Sequence, residues 1–441
     1  MPINYDITEC FGIEGESLKI TGYLGLKDIK GITSLVFTGY VSYEPTGCEC
    51  CGIKNINHTV IKHGSRQTTV YMGLVFDRPA HIKLKKQRFY CKECGQTYTA
   101  KTPYIDARCT ISNNVKLMMT KRLSKVISEK DIAEDLCVSP STVHRHLKSL
   151  NESIQTTVNR SLPRHLSFDE FKSTSDVDSA MSFIYCDGIT HDIIDILPDR
   201  RKHKLEEYFL RFSKRQRKKV KTVSVDMFPP YISLIESLFP NADIIIDRFH
   251  IVQAINREIN RCRIRIMNLF KSNERPKYNK LKRHWKLLLK PANELDRMHY
   301  HPFRLFDNWH SQYSLVQYLL GLSEELEMTY ITGHFILEAL KSNCIKKLEV
   351  ALYSSKRKPI FKGLKRVIQT LIKYLPYITN TVKYPHLTNG PIEGINNKIK
   401  LIKRVSYGYR NFYNFRNRIL VISRMFVSEH KKRTKSLKIA T

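Results

Sequence analysis

The first regular signal along the chain is an alternation of apolar and polar residues with period two. It runs through TTVYMGLVF and HIKLKKQRFYC, between Cys48 and about Thr110, and predicts a strand-rich segment. Residues 1–45 are mixed and predict no element. From 112 to 160 the apolar spacing lengthens to that of helices. Three short strands follow in HLSFDEFKS, SAMSFIYCDG and HDIIDILPDR, each closed by Asp/Gly or Pro as in a β-meander. Next come a charged helix (HKLEEYFLRFSKRQRKK), a strand (KTVSVDM), a helix from about Pro230 to Leu238 and a strand (ADIIIDR). From about Phe249 to Leu375 only helical periodicity is present, clearest in LVQYLLGLSEELEMTYITGHFILEALKSNCIKKLEVAL, which predicts an all-α insertion. A Pro/Asn/Gly turn at 385–391 then leads into NGPIEGINNKIKLIKR. No internal repeat or low-complexity tract interrupts this order.

These patterns divide the chain into seven parts. Residues 1–45 have no assigned role, 46–110 form a Cys-bearing ribbon, and 111–160 form a helical region. Residues 161–248 are the first part of an α/β core, 249–380 the helical insertion, 381–428 the second part of the core, and 429–441 a basic tail.

Charge changes the picture from fold to partner. Lys and Arg outnumber Asp and Glu 74 to 41, a net charge of +33 spread through the chain, which points to a polyanion. No run of apolar residues is long enough to span a membrane, and the start, MPINYDITECFGIEGE, has acids where a signal peptide needs a basic and then an apolar stretch. The expectation is a cytosolic, nucleic-acid-binding protein with no membrane partner. Eleven cysteines are then thiols or metal ligands rather than a disulfide scaffold.

Their spacing favours metal. CECCG at 48–52 and CKECG at 91–95 each contain C-x-x-C-G, two knuckles that turn on a glycine and point two thiolates at one ion. Cys48, Cys51, Cys91 and Cys94 are the expected ligands of a zinc ribbon, with Cys50, His58 and His63 as candidate substitutes. Four protein ligands leave no open position, so this Zn2+ is structural.

SEKDIAEDLCVSPSTVHRHLKSL, 128–150, reads as two short helices. Ser128 and Asp131 form a variant capping box, and Ile132, Ala133 and Leu136 line one face. Cys137-Val138-Ser139 is the turn, and Ser139 caps a second helix that has Pro140 at its first position. Val143 and Leu147 face inward, leaving Ser141, Thr142, His144, Arg145 and Lys148 outward. This is the pattern of a helix-turn-helix, although glycine is commoner where Cys137 stands. The competing reading is a helical hairpin with a solvated basic face.

Asp169 and Asp226 lie at or near the ends of apolar strands, where a carboxylate is costly unless paired or bound to a cation. A meander followed by helix, strand, helix and strand is the order of a ribonuclease-H-like fold, in which the first strand is central and the fourth lies beside it. Asp169 and Asp226 would then converge, with Asp247 as the competing second acid. Glu393 is the only acid between Ala351 and Ser428. It opens a basic helix, with Asn397 and Lys400 after it on one face. Three carboxylates make a hard oxygen site suited to Mg2+ or Mn2+, and a metal pair roughly 3.5–4 Å apart serves in-line displacement at phosphorus. The expected fold is therefore multidomain, α+β and α/β: an N-terminal zinc ribbon, a helix-turn-helix, and a ribonuclease-H-like catalytic domain interrupted by an all-α insertion.

From about Cys48 to about Arg424 the chain resembles the DDE transposases of bacterial insertion sequences, in the ISL family numbered three. The carriers are the two knuckles, SFDEF, VSVDMFPPY, PNADIIIDRFHIVQAINR and NGPIEGINNKIKLIKRVSYGYRNFYNFRNRI. The resemblance departs at the first knuckle, which lacks the Pro common after its first Cys. It implies a catalytic triad of Asp169, Asp226 and Glu393, and a helical insertion between the second acid and the glutamate. It also implies cleavage at the element's ends with strand transfer into target DNA, in a bacterial cytoplasm and at the nucleoid, by a dimer or larger assembly. Asp247, Arg248 and His250 match as well; the expected role is structural support of the site. Lys398, Lys400, Lys403, Arg404 and Arg410 are expected to hold phosphates. Tyr407, Tyr409, Phe412 and Phe415 are candidates to stack on bases, with core packing the stronger expectation for the two phenylalanines. A non-catalytic DNA-binding regulator and a ribonuclease-H-like nuclease without strand transfer are the rival readings.

Overall fold

The computed structural model describes Ile13 and residues 18–158 and 161–425, so the basic tail expected at 429–441 lies outside the described residues. The chain divides into two compact units. One comprises 1–157, 401–409 and 413–441, the other 158–400 and 410–412.

The first unit opens with a five-stranded sheet in the order β1 (Leu18–Ile29), β2 (Ile32–Val41), β4 (Arg78–Cys91), β3 (Val60–Val75), with β5 (Thr97–Thr99) pairing β4. Residues 18–41, which show no readable pattern in sequence, are thus part of the ribbon's sheet. β1 is an edge strand exposed along most of its length, so no apolar period marks it. β2 crosses it so closely that a Cβ at Gly39 would sit 2.8 Å from the Lys19 carbonyl. Three helices follow: α1 (Asn113–Leu123), α2 (Glu129–Asp135) and α3 (Pro140–Val158). Val115, Met119, Leu123, Ile132, Ala133, Leu136, Val143 and Leu147 form their shared core. The Ser128 hydroxyl accepts the Asp131 N–H at 3.0 Å, and Ser139 accepts that of Thr142 at 3.3 Å, so both helices start where their caps predict. Cys137 has φ 48°, the left-handed turn position that glycine usually fills.

The second unit is built on a mixed sheet. Its strands are β6 (His165–Lys172), β7 (Met181–Asp187), β8 (Ile193–Leu197), β9 (Thr222–Val225) and β10 (Asp243–Ile246), in the order β10-β9-β6-β7-β8. β6 pairs β7 antiparallel and β9 parallel, and β9 pairs β10 parallel. The first strand is central, between β9 and β7; on one of its faces Leu166 and Phe168 are buried among Phe183, Tyr185, Phe209 and Phe239. Helices α4 (Lys202–Leu210) and α6 (Pro229–Leu238) share that core, with α5 (Lys214–Arg217) between them in the chain.

The helical stretch comprises α7 (Arg248–Leu269), α8 (Arg275–Arg283), α9 (Gln312–Leu320), α10 (Glu324–Lys341), α11 (Ile345–Ser355), α12 (Lys362–Lys373) and α13 (Leu375–Lys383). It is not wholly helical. His301–Pro302 pairs antiparallel with Trp309–His310 as β11 and β12, in a segment where Pro291 and Pro302 stop helix propagation. α13 covers the edge of the sheet: Asn380 Nδ2 donates to the Ile244 carbonyl at 2.9 Å and Thr381 Oγ1 to that of Ile246 at 2.6 Å. The chain then reaches α14 (Gly390–Val405) and α15 (Phe412–Met425).

Candidate functional site

Four thiols meet at the ends of the ribbon's strands. Cys48 and Cys94 Sγ are 3.7 Å apart, Cys51 and Cys91 Sγ 3.9 Å, and all four sulfurs lie within 4.8 Å of one another. A tetrahedral ion with Zn–S bonds of about 2.3 Å needs sulfurs about 3.8 Å apart, so the set fits zinc. Cys50, His58 and His63 are outside the group, and Cys50 contributes its backbone N–H to Cys48 Sγ at 3.3 Å instead. The Cys48 thiol is lowered to about 6, first by the backbone hydrogen bond from Cys51, and is thereby prepared as a thiolate ligand.

On α3, Arg145 and Lys148 are exposed and Thr142 is half-buried. His144 is less free, because its Nδ1 lies 3.1 Å from Glu129 Oε2. The turn is braced from the sheet by Tyr71, whose hydroxyl donates to the Leu136 carbonyl at 2.7 Å. A second brace comes from α15. Arg418, fully buried, donates to the carbonyls of Leu123 at 2.6 Å, Lys125 at 3.1 Å and Ile127 at 2.7 Å, the last turn of α1 and the residues after it.

In the second unit, strand register lines up three acids. Ser167 pairs Ser224, so two residues on Asp169 stands beside Asp226; Ile246 pairs Val225, so one residue on Asp247 stands beside Asp226. The Asp247 N–H donates to the Val225 carbonyl at 3.0 Å, carrying the alignment past the ladder. Asp169, Asp226 and Asp247 therefore form a row across β6, β9 and β10. Parallel strands make such a row possible, because they bring equivalent ends to one edge.

The row is electrostatically loaded. Burial raises the Asp169 carboxyl to about 7, and the neighbouring Asp226 charge adds to this. Burial likewise raises Asp247. His250 is raised first by its pairing with Asp226: its Nε2 lies 2.8 Å from Asp226 Oδ1 and 4.0 Å from Asp247 Oδ2. Ligand atoms of Asp226, Asp247 and His250 all lie within 4.8 Å of one another. Glu393 is exposed and outside that group.

What links Glu393 to the row is its helix. Asn389 N–H donates to Asp247 Oδ1 at 3.4 Å and its Nδ2 to the Phe168 carbonyl at 3.1 Å. Asn396 Nδ2 donates to Asp169 Oδ2 at 2.8 Å and to the Glu170 carbonyl at 3.2 Å. The Glu393 N–H bonds the Asn389 carbonyl at 3.1 Å, so the turn is helical from Asn389 onward. Asn389, Glu393 and Asn396 then share one face at i, i+4 and i+7. Three oxygens here are buried without a directed hydrogen bond, Asp226 Oδ1, Asn389 Oδ1 and Asn396 Oδ1. Asp226 Oδ1 faces His250 Nε2 at 2.8 Å. Surplus acceptors beside carboxylates suit a divalent cation and its water shell.

The proposed phosphate contacts lie on α14 and, for Arg410, in the turn after it. Lys400, Arg404 and Arg410 are exposed, whereas Lys398 is half-buried, its ammonium lowered by burial, and Lys403 is half-buried with its Nζ 5.8 Å from the Phe415 ring. Phe412 and Phe415 are buried and so pack in the core; Tyr409 stacks on Phe415, and Tyr407 is exposed. The sequence named Asp247 as the competing second acid and gave His250 only structural support of the site; it assigned nothing to Asn389 or Asn396. For Asp247 and His250 the available signal was the i, i+3 spacing in DRFH at a strand end.

Known proteins match along most of this frame. A transposase family profile covers residues 166–419, and a zinc-finger profile of the transposases of IS204, IS1001, IS1096 and IS1165 covers 44–94. The transposase for insertion sequence element IS1001 of Bordetella parapertussis is 23% identical over 367 residues, 82% of this chain and 85% of that protein. A Lactococcus lactis subsp. lactis protein called an ATP-dependent protease is 36% identical over 107 residues; the match covers 24% of this chain and 34% of that relative's length. With its zinc ribbon, its row of carboxylates and a profile match over more than half its length, the chain belongs to the ISL3 family of DDE transposases, metal-dependent enzymes that cleave DNA.

Proposed function

We propose that this transposase cuts at the ends of its own insertion sequence and joins the freed 3′ ends to target DNA. Asp169, Asp226 and Glu393 serve as the acids, in a core of ribonuclease-H-like type. The observation that carries the reading is the shared face of Asn389, Glu393 and Asn396. Both asparagines bond the acid row, so the glutamate between them is turned toward the same row. A divalent cation, Mg2+ or Mn2+, held by these carboxylates supplies activation of the attacking oxygen and stabilisation of the leaving one. The chain's own residues do the rest. Asp226 and Asp247 orient His250, the asparagines fix the helix, and Lys398, Lys400, Lys403, Arg404 and Arg410 neutralise the phosphates brought to it. Thr142, His144, Arg145 and Lys148 read the terminal repeats from the helix-turn-helix. The ribbon stabilised by Zn2+ supports them. The enzyme acts as a dimer or larger, because two ends must be brought together, and works in the bacterial cytoplasm at the nucleoid.

A second reading exchanges Asp226 for Asp247, favoured by the grouping of both with His250 within 4.8 Å. One experiment separates them. Asp226→Asn and Asp247→Asn are compared for binding and metal-dependent nicking of end DNA. The first should bind normally and not cut, and the second should keep measurable cutting. The reverse pattern would make Asp247 the second acid. Wild-type cutting by both would remove the acid row from the reaction.

A further inference from the structure

We propose that Asn396 is a positioning residue for the cleavage reaction: it holds Asp169 toward the neighbouring aspartates and thereby sets how tightly the site takes a divalent cation. This rests on the acid-row reading above.

Asp169 sits inside a strand rather than on a loop, and its carboxylate is mostly enclosed. One oxygen, Oδ1, accepts the N–H of the next residue, Glu170, at 2.7 Å, a bond that the strand itself supplies. The other, Oδ2, accepts from Asn396 at 2.8 Å. Asn396 comes from a helix far away in sequence, so the carboxylate's second anchor is tertiary. Asn396 is 7% exposed, and its second bond, to the Glu170 carbonyl, stops the amide from rotating. Its N–H2 group is thereby fully used while its Oδ1 is buried with no donor. An amide so placed orients a ligand and keeps one acceptor for a donor that is not protein, such as a water of the cation's shell.

Two neighbouring groups are held separately. Glu170 is held by Arg200 Nη1 at 2.5 Å and by the Tyr231 hydroxyl at 3.1 Å, so losing Asn396 leaves the strand after Asp169 anchored. Asn389 still fixes the start of α14 through the Phe168 carbonyl. Loss of the Asn396 amide should therefore free the Asp169 side chain without unseating the helix.

The test uses full-length protein and Asn396→Ser, a small polar replacement whose hydroxyl is too short to span the bond to Asp169. The rise in unfolding temperature produced by titrating Mn2+ into zinc-loaded protein free of other added divalent cations is measured in the absence of DNA. The half-saturating Mn2+ concentration should increase about ten- to hundredfold, the usual effect of losing a residue that orients a metal ligand. Affinity for end DNA without metal should stay within about twofold of wild type. If Asn396→Ser does not fold, Asn396→Gln is measured instead. It keeps the donor on a stem one methylene longer, and the half-saturating concentration should increase severalfold. A Mn2+ titration identical to wild type in whichever folded variant is measured would overturn the proposal. Asp169→Asn separates this from the reading beneath it. If Asp169→Asn abolishes the Mn2+ response while Asn396→Ser leaves it unchanged, only the role of Asn396 falls. If Asp169→Asn keeps a wild-type response, the acid row itself falls.

Discussion

At the scale of single residues, a lone acid in a basic helix is informative because everything around it is chosen for phosphate. Glu393→Gln removes one negative charge from that surface. Cleavage should be lost, while affinity for end DNA, read by gel shift at fixed salt, stays equal or rises; a variant that cuts at the wild-type rate would dismiss Glu393 as a ligand. Arg418 makes a different demand. Its three bonds close the carbonyls of residues 123, 125 and 127, and burial holds its guanidinium below the usual range. Arg418→Met should cost about 2–3 kcal/mol in chemical denaturation of the first unit, because the carbonyls of Leu123 and Ile127 lose the guanidinium donor, while that of Lys125 keeps the Ile127 N–H. Arg418→Lys should recover little, since an ammonium is not a fork. Asp169, Asp226 and Glu393 were legible locally, as carboxylates on apolar strand ends or alone among cations. Asp247 was legible as a competing acid at a strand end, and the register of Ile246 with Val225 set it beside Asp226. Asn396 gave no local sign at all, since its partner is 227 residues away.

At the scale of elements, strands and helices with one buried face announced themselves, and so did both helix caps. β1 did not, because it is an exposed edge strand whose register is broken between Ile20 and Gly22 and between Tyr23 and Leu26; β2 did not, because as an inner strand it buries Val36 and Phe37 in succession; and neither did the two-residue pairing at His301 and His310. The ribbon's four ligands were set by spacing; which thiols bound was settled by distance, with Cys50 left outside. Cys51→Ser should release the metal and unfold the sheet's knuckle end, whereas Cys50→Ser should retain one zinc per chain by elemental analysis. The helical stretch carries a pH response. His284 and His334 are buried, donate from Nε2 to the carbonyls of Arg304 and Leu288, and have imidazoles lowered by burial below the usual 6.5. The unfolded chain binds protons there more readily than the folded one. Stability contributed by these two is therefore complete above pH 6.5 and lost as pH falls through their folded values. The second unit should show a lower unfolding temperature at pH 5 than at pH 7.5, and a His334→Gln variant a smaller difference.

At the scale of the whole molecule, the net charge of +33 is a statement about association with DNA, not about fold. Counterion release makes the proposed phosphate contacts countable. Replacing Lys400 and Arg404 by Gln should make the slope of log K against log salt shallower by about 1.8, about 0.9 for each contact. No change in slope would mean that neither touches phosphate. No helix among the described residues is long and apolar enough to cross a membrane.

The bond from Asn396 to Asp169 also sets an order in time. Its partners are separated by 227 residues, and the bond from Asn389 to the Phe168 carbonyl by 221. Closing such long loops is entropically late, and a chain made from its N-terminus folds earlier segments first. The ribbon, the three helices after it and the central strands are all synthesised before the helix that carries Glu393, and Arg418, which braces the residues after α1, is made later still. During synthesis the protein therefore lacks both Glu393 and that brace until its last helices are made, and a product truncated before residue 389 should not cut. Such truncated chains, expressed beside the full-length enzyme, should bind end DNA more weakly than it does and leave nicking at the element's ends unchanged.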